Sequence, residues 1–424
     1  MKRLQYTSKF LGVVMNFRVA FSERSWPYFL AITLPWVIFD GQRTVRSLAI
    51  GAWHRRHESS FYRFFSEFKF NIEVLFRLLF DAIVKTFNLS EILIVVDDTL
   101  YPKWGHHIFG TGSFFDHVRR PRSGFIWGHN WVVLAVIVKL FGVPVALPCW
   151  VTLYRSKSSC PKKEFRTKLQ ITEEALRRVK TWTSLPIRVV ADGAFNNESL
   201  LTPLAELKFP LVSRLRSDAR LRRDPPKRRG MKRGRRPKYG AWLPALGPLA
   251  RSSRGWQTIQ VHIYGEDVTV KVKTFDAWWP KAGVKLRVVI VRDPAFKRKP
   301  CFLSSTNLTM TPLDVIETFS LRWSIEQLFS DGKNIVGFDS AEVRSPKSVV
   351  RHGVLAFAIV AMVRLWAIKR LSREKKQPTS FAGQIAFLRR ELIVETIFSS
   401  QAPKPGSRRN AEALARLLVR KAAA

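Results

Sequence analysis

Acidic side chains are scarce in this 424-residue chain, with Asp plus Glu numbering 32 against 72 Lys plus Arg, so their placement carries information. Asp97 and Asp98 follow the apolar run ILIVV, and Asp192 follows IRVVA. Short, wholly apolar runs of this kind read as buried central strands. A carboxylate at the mouth of such a strand is costly to keep ionised unless it is paired or ligates a cation. One strand-end Asp that merely caps a turn would be unremarkable, but two in so basic a chain favour a shared role. The third acid, Glu326, lies in FSLRWSIEQLFSDGKN. At about 100° per residue, a helix there puts Phe319, Arg322, Glu326 and Lys333 within a stripe of about 60°. Leu321, Ile325, Leu328 and Phe329 form an adjoining apolar stripe suited to packing on a sheet. Taken alone, the Arg322–Glu326 pair is an ordinary i,i+4 pair on a solvated helix. Together with the two strand-end acids, Glu326 completes the hard-oxygen set that suits Mg²⁺ or Mn²⁺. Two such ions about 3.5–4 Å apart can drive an in-line displacement at a phosphodiester. An Arg fork and a Lys point charge nearby would grip phosphates.

The composition points to the same class of partner. The net charge of +40 gives a monomer only self-repulsion, and its usual physical reason is a polyanion, either nucleic acid or an anionic membrane. A spanning helix needs about 18 uncharged apolar residues. The segment 26–39 is short and interrupted by Pro27 and Pro35, 131–154 is broken by Lys139, Pro144 and Pro148, and 354–363 is too short. No secretory leader is expected from the start MKRLQYTSKF. The three cysteines, Cys149, Cys160 and Cys301, form no C-x-x-C pair and no disulfide framework, which fits a reducing cytoplasm. His106, His107, His117 and His129 show no zinc-ligand spacing.

The elements that must position these residues are legible in outline. The length suggests about three domains or one elaborated one. Residues 1–90 read as helical, with two short helices broken near Gly51, Ser59 or Ser60 capping the second, and a third helix over 74–87. With Arg55 and Arg56 on its edge, this cluster is compatible with either a helix-turn-helix DNA-binding module or a plain packing domain. Residues 91–210 alternate strands and helices, predicting a mixed α/β sheet with helices packed on it. In 211–310 a run rich in Lys and Arg over 214–238 is punctuated by Pro and Gly and reads as a phosphate-contacting loop. The β-like runs WQTIQVHIY, DVTVKVKTF, KLRVVIVRD and CFLSST follow it. They are read as a β-rich basic insertion. Residues 311–370 return to helices, one over 312–336 and one over 349–370, and 371–424 is a basic tail with a last helix over 410–421. Trp278, Trp279 and Trp323 are aromatic enough to stack on an extruded base, and are read as core positions.

The ordered features, strand-DDT, strand-ADG, then Phe319-x2-Arg322-x3-Glu326-x6-Lys333, resemble bacterial insertion-sequence transposases of the DDE type, the group with a Tyr-Arg-Glu-Lys signature. DDTLYPKWG is similar to the D-T-x-x-P-K-x-G stretch of a DDE endonuclease subgroup. The similarity covers roughly 90–370. It implies a ribonuclease-H-like fold: a mixed sheet with flanking helices, a β-rich insertion before the helix of the catalytic Glu, and an N-terminal helical domain. It implies cut-and-paste transposition, in which one strand is cleaved at each element end and the 3′-OH produced attacks the other strand or target DNA. The catalytic and metal-ligating set carried over is Asp98, Asp192 and Glu326, with two Mg²⁺ ions for which Mn²⁺ can substitute. Neighbouring strand residues point to opposite faces, so only one of Asp97 and Asp98 reaches the site; the D-T pattern of the family favours Asp98. The signature Tyr is Phe319 here, which keeps the ring and loses a hydroxyl that could serve hairpin processing.

Expected DNA contacts are Phe319, Arg322, Lys333, Lys103, Arg228, Arg229, Lys232, Arg233, Arg235 and Arg236. The expected partner is double-stranded DNA, both terminal inverted repeats and target. Paired ends imply a homodimer in the synaptic complex, and DNA binding implies association with the nucleoid. The competing readings are another ribonuclease-H-fold nuclease and a non-enzymatic DNA-binding protein such as a decayed transposase. All the catalytic readings require the three carboxyl groups to come within reach of a shared ion.

Overall fold

The computed structural model describes residues 9–52, 57–116, 124–226, 235, 237–372 and 379–398. Five α-helices open the described residues: α1 (Lys9–Met15), α2 (Trp26–Ile38), α3 (Val45–Gly51), α4 (Glu58–Ser66) and α5 (Ile72–Phe87). Strands β1 (Ile92–Pro102), β2 (Gly112–Phe115), β3 (Phe125–Leu140) and β4 (Val143–Tyr154) follow, then α6 (Lys168–Lys180), β5 (Ile187–Ala191), α7 (Glu198–Glu206) and β6 (Leu211–Arg214). Beyond these lie α8 (Leu246–Arg251), β7 (Gln257–Ile263), β8 (Glu266–Trp279), β9 (Val284–Arg292) and β10 (Cys301–Ser305). The helices α9 (Pro312–Ser320), α10 (Trp323–Asn334), α11 (Pro346–Leu371) and α12 (Phe381–Phe398) complete the described chain.

The run ILIVV pairs on both sides, as its apolar character requires: β1 is antiparallel to β3 and parallel to β5. With β4 on β3 and β6 parallel to β5, the order β4-β3-β1-β5-β6 and its directions are those of a ribonuclease-H-like sheet. Helices α6 and α7 make the connections β4 to β5 and β5 to β6. Capping chemistry sets where α6 starts: the Thr167 side chain accepts from Gln170 N, and the Gln170 side chain accepts from Thr167 N. In the second short N-terminal helix, the cap falls earlier than Ser59 or Ser60. His57 caps α4, its Nδ1 accepting the Ser59 backbone N–H.

The strands read as an insertion do not form a separate sheet. β10 pairs antiparallel with β6, and β9, β8 and β7 continue outward in one sheet. This covers what would otherwise be an exposed edge on β6. The outer strands also enclose a second small core that includes Leu215, Leu221, Leu246, Leu286, Val288 and Ile290.

The N-terminal helices share the main core with the sheet rather than enclosing their own. Phe21 stacks on Phe29 at 4.3 Å between centroids, and Trp36 Nε1 donates to Val336 O at 2.9 Å. The almost wholly buried helix α11 ties these helices to the strands. Its approach to β3 depends on Gly353, where a Cβ would lie 2.6 Å from the Trp131 ring. Arg55, Arg56, His117 and the helix expected over 410–421 lie outside the described residues. No helix among the described residues is long and apolar enough to cross a membrane.

The single helix expected over 312–336 is two. At the junction Arg322 N donates to Phe319 O, Ser324 N to Leu321 O and Ile325 N to Arg322 O, a tighter three-residue pattern. That change of winding divides α9, which carries Phe319, from α10, which carries Glu326 and Lys333.

Candidate active site

Strand register decides which aspartates meet. β1 and β5 pair in parallel from Ile92 with Ile187 to Val96 with Ala191. One step beyond, Asp97 and Asp192 continue their strands side by side on one face. Asp98 projects from the opposite face, where its Oδ2 lies 2.6 Å from Lys168 Nζ at the start of α6.

On the Asp97 face stands α10. Arg322, at its N-cap, donates from one terminal nitrogen to Asp97 Oδ2 at 3.0 Å and from the other to Glu326 Oε1 at 2.7 Å. Asp97 Oδ1 accepts the Asp98 backbone N–H at 2.8 Å. The guanidinium thus sits between two carboxylates borne by a central strand and the helix packed over it. Burial first, and then the negative charge of Asp98, push the Asp97 carboxyl up to about 7. Asp192 adds to this, while the Asp98 N–H and the Arg322 charge oppose it. Burial works against the Arg322 charge, yet the Glu326 hydrogen bond and the charges of Asp97, Glu326 and Asp192 raise its pKa overall.

A family model described as DDE superfamily endonuclease matches residues 19–275, more than half of the sequence. The chain belongs to that family. The match spans Asp97, Asp98 and Asp192 and ends before Glu326, so the place of Glu326 in this DDE endonuclease rests on the geometry just described. A solved structure similar to the endonuclease is a piggyBac transposase synaptic complex with hairpin DNA, at 10% identity and a TM-score of 0.45, covering 96% of this chain and 80% of that one. So low a score adds nothing to the fold read from the strand order. No curated protein matches the sequence.

The endonuclease site places the two aspartates of β1 differently. Asp97 shares the face of Arg322 and Glu326, and Asp98 is held by Lys168. Lys168, which sequence reasoning missed, has no motif around it; only the fold brings it there. Asp97 left a usable signal, because ILIVV and IRVVA are each five residues from an Ile to the following Asp, which aligns Asp97 with Asp192 in a parallel pair. Phe319 remains near the site, its ring 5.7 Å from the Arg322 guanidinium. Trp323, read as core, is 52% exposed beside Arg322.

Two of the expected DNA contacts make intramolecular bonds. Lys333 Nζ donates to Leu100 O at 3.1 Å, alongside the Tyr101 ring. Lys103 Nζ donates to Asp339 O and Ala341 O at 2.5 and 3.0 Å, and burial lowers its pKa. Lys103 therefore ties the end of β1 to the chain after α10. Lys103→Met is expected to cost about 1–3 kcal/mol of stability by orphaning two carbonyls. Its DNA affinity should stay within about twofold, on the order of RT ln 2. Thermal unfolding and fluorescence anisotropy with duplex DNA check both. Arg235 is exposed. Arg228, Arg229, Lys232, Arg233 and Arg236 lie outside the described residues.

Among the described residues no three His, Cys, Asp or Glu side chains are grouped closely enough to hold one metal ion. The donor chemistry nevertheless suits a hard divalent cation: Asp97 and Glu326 are carboxylates already bound to a cationic group, with Asp192 close enough to raise the Asp97 carboxyl. Arg322 provides the positive charge there, and the two carboxylates cannot converge on an ion while it stands between them.

Proposed function

We propose that this endonuclease is a DDE transposase, cutting DNA at the ends of a mobile element and joining those ends to target DNA. The observation that carries the reading is the placement of Asp97, Asp192, Arg322 and Glu326 on one face of a ribonuclease-H-like sheet. In this reading Asp97, Asp192 and Glu326 hold divalent cations, Mg²⁺ or Mn²⁺. Such ions, when bound, supply Lewis-acid stabilisation to an in-line phosphoryl displacement. The geometry favours Asp97 over Asp98 as the β1 ligand. Asp98 and Lys168 brace the far side of the strand.

The protein's own groups do the remaining work. Arg322, released from the carboxylates, is a planar fork within reach of a phosphate approaching the same face. The Asp98 N–H orients the Asp97 carboxylate. The net charge of +40 draws DNA to the protein, with Arg235 and its basic neighbours in 214–238 as phosphate contacts. Two element ends held together require two copies of the chain, so the working form is a dimer on DNA, associated with the nucleoid.

The test is incubation of the purified protein with DNA carrying the inverted repeats that flank its own gene, in Mg²⁺, Mn²⁺ or EDTA, followed by sequencing of product ends. Nicks leaving a 3′-OH at the repeat boundary, only with a divalent ion, are expected. DNA retention without ion-dependent cuts would instead identify a non-catalytic DNA-binding protein.

A further inference from the structure

We infer that the buried pair Asp331–Arg364 is a positioning device that sets the rotation of α10 and so the aim of Glu326; the inference rests on the nuclease reading above. Glu326 lies in the first turn of α10, its side chain 37% exposed and held by the Arg322 fork. Nothing in that contact prevents the helix from turning about its axis. Asp331 is five positions further on, at about 100° per residue roughly 140° round the helix from Glu326. It points away from the sheet face and into the protein.

There its Oδ2 accepts from Arg364 of α11 at 3.0 Å, with the two side chains 7% and 5% exposed. Asp331 Oδ1 accepts from Gln327 Nε2 at 3.1 Å, which braces the residue next to Glu326. Arg364 is fixed in turn by the Gln384 Oε1 of α12 at 3.0 Å, by Thr379 O at 3.2 Å and by the Phe381 ring at 4.9 Å. A buried ion pair is a poor device for stability, because a well-packed apolar pair of similar volume usually does as well or better. What it supplies is direction. The fork accepts one rotation of α10, and that rotation brings Glu326 to Arg322 and Asp97. The C-terminal helix α12 thereby becomes a structural support of the active site.

The test replaces the pair by apolar side chains, Asp331→Leu with Arg364→Met, which keeps volume and removes the directional bond. A milder variant, Gln384→Leu, loosens only the tie to α12. Four quantities are read on the full-length protein: the single-turnover cleavage rate, the Mn²⁺ concentration giving half that rate, DNA affinity in EDTA, and the melting temperature. In the double variant the rate should fall about 30-fold, as expected when a catalytic group is misplaced by a fraction of an ångström to an ångström. Half-saturation should shift to several-fold more Mn²⁺, while DNA affinity and melting temperature hold. Gln384→Leu should move the same two quantities by about threefold. The inference is overturned if the folded double variant keeps the wild-type rate and Mn²⁺ dependence. It is equally overturned if the rate falls only in proportion to lost DNA affinity or lost folded protein. A wild-type protein that does not cleave at all would sink the nuclease reading first, and this inference with it.

Discussion

Asp97→Ala is expected to lower ion-dependent DNA cleavage by on the order of 10³-fold, whereas Asp98→Ala should retain it within about tenfold. The difference follows from where each carboxylate goes. Asp97 shares the Arg322 fork with Glu326 and stands beside Asp192, while Asp98 is paired with Lys168 across the sheet. What Asp98 gives the site is its backbone N–H on Asp97 Oδ1, and alanine keeps that donor. Single-turnover cleavage of end DNA in Mn²⁺ separates the two variants. A dead Asp98→Ala and an active Asp97→Ala would restore the D-T assignment drawn from the family motif.

The same residue has a signature in stability. A carboxyl raised to about 7 in the folded protein holds a proton that the unfolded chain, at the ordinary value of 3.8, has released. The folded state then binds more protons between those two values, so stability of the ion-free protein falls as pH rises through that window. Asp97→Asn removes the titrating group, flattens this slope, and should raise the melting temperature above neutral pH by about one to two degrees, a shift of about 1–2 kcal/mol. Thermal scans in EDTA from pH 5 to 8.5 would show it. A steeper pH dependence in the variant would contradict the burial account of Asp97.

The second large effect belongs to Arg322. Arg322→Ala leaves Asp97 and Glu326 facing one another without a counter-charge. Breaking a mostly buried network by removing one partner costs about 3 kcal/mol. The variant should unfold correspondingly earlier in EDTA and be rescued by Mn²⁺ more strongly than the wild type, because an ion that binds only the folded state stabilises it by mass action. Cleavage should still fall, since the variant has lost the fork that would hold a phosphate. Differential scanning fluorimetry across a Mn²⁺ titration measures the rescue. Equal stabilisation of variant and wild type by Mn²⁺ would mean that Arg322 does not stand where the ion binds.

How far this site could be read in advance depends on which interaction fixed each part. The apolar runs before Asp97 and Asp192 exposed β1 and β5 directly, because a strand buried on both faces must be apolar throughout. That same property hid the face of each Asp: in a run with no alternation, the side chains carry no record of which way they point. The β1–β5 register and the contacts to Arg322 and Lys168 distinguish the two faces, and these belong to the fold rather than to either run. Helical periodicity placed Arg322 and Glu326 together correctly, since a four-residue spacing tolerates small changes of winding. The tighter winding at Leu321 and Arg322 breaks the run into two helices, and the Phe319 ring still lies 5.7 Å from the Arg322 guanidinium. Composition points to a polyanion as partner but does not sort individual cations. Lys103 and Lys333 bind backbone carbonyls in the fold, and nothing in their sequence neighbours announces those bonds. The outer strands β7 to β10 were visible as strands; that they extend the main sheet followed from the need to cover β6, a requirement no local sequence states.

The central claim is that Asp97, Asp192 and Glu326 together ligate the catalytic ions. Electron paramagnetic resonance of Mn²⁺ bound to the protein–DNA complex tests it most directly, comparing the wild type with Asp97→Asn, Asp98→Asn, Asp192→Asn and Glu326→Gln. The account predicts that the Asp97, Asp192 and Glu326 variants each lose bound Mn²⁺ while Asp98→Asn binds as the wild type does. Full Mn²⁺ binding in Asp97→Asn, or its loss in Asp98→Asn alone, would contradict it.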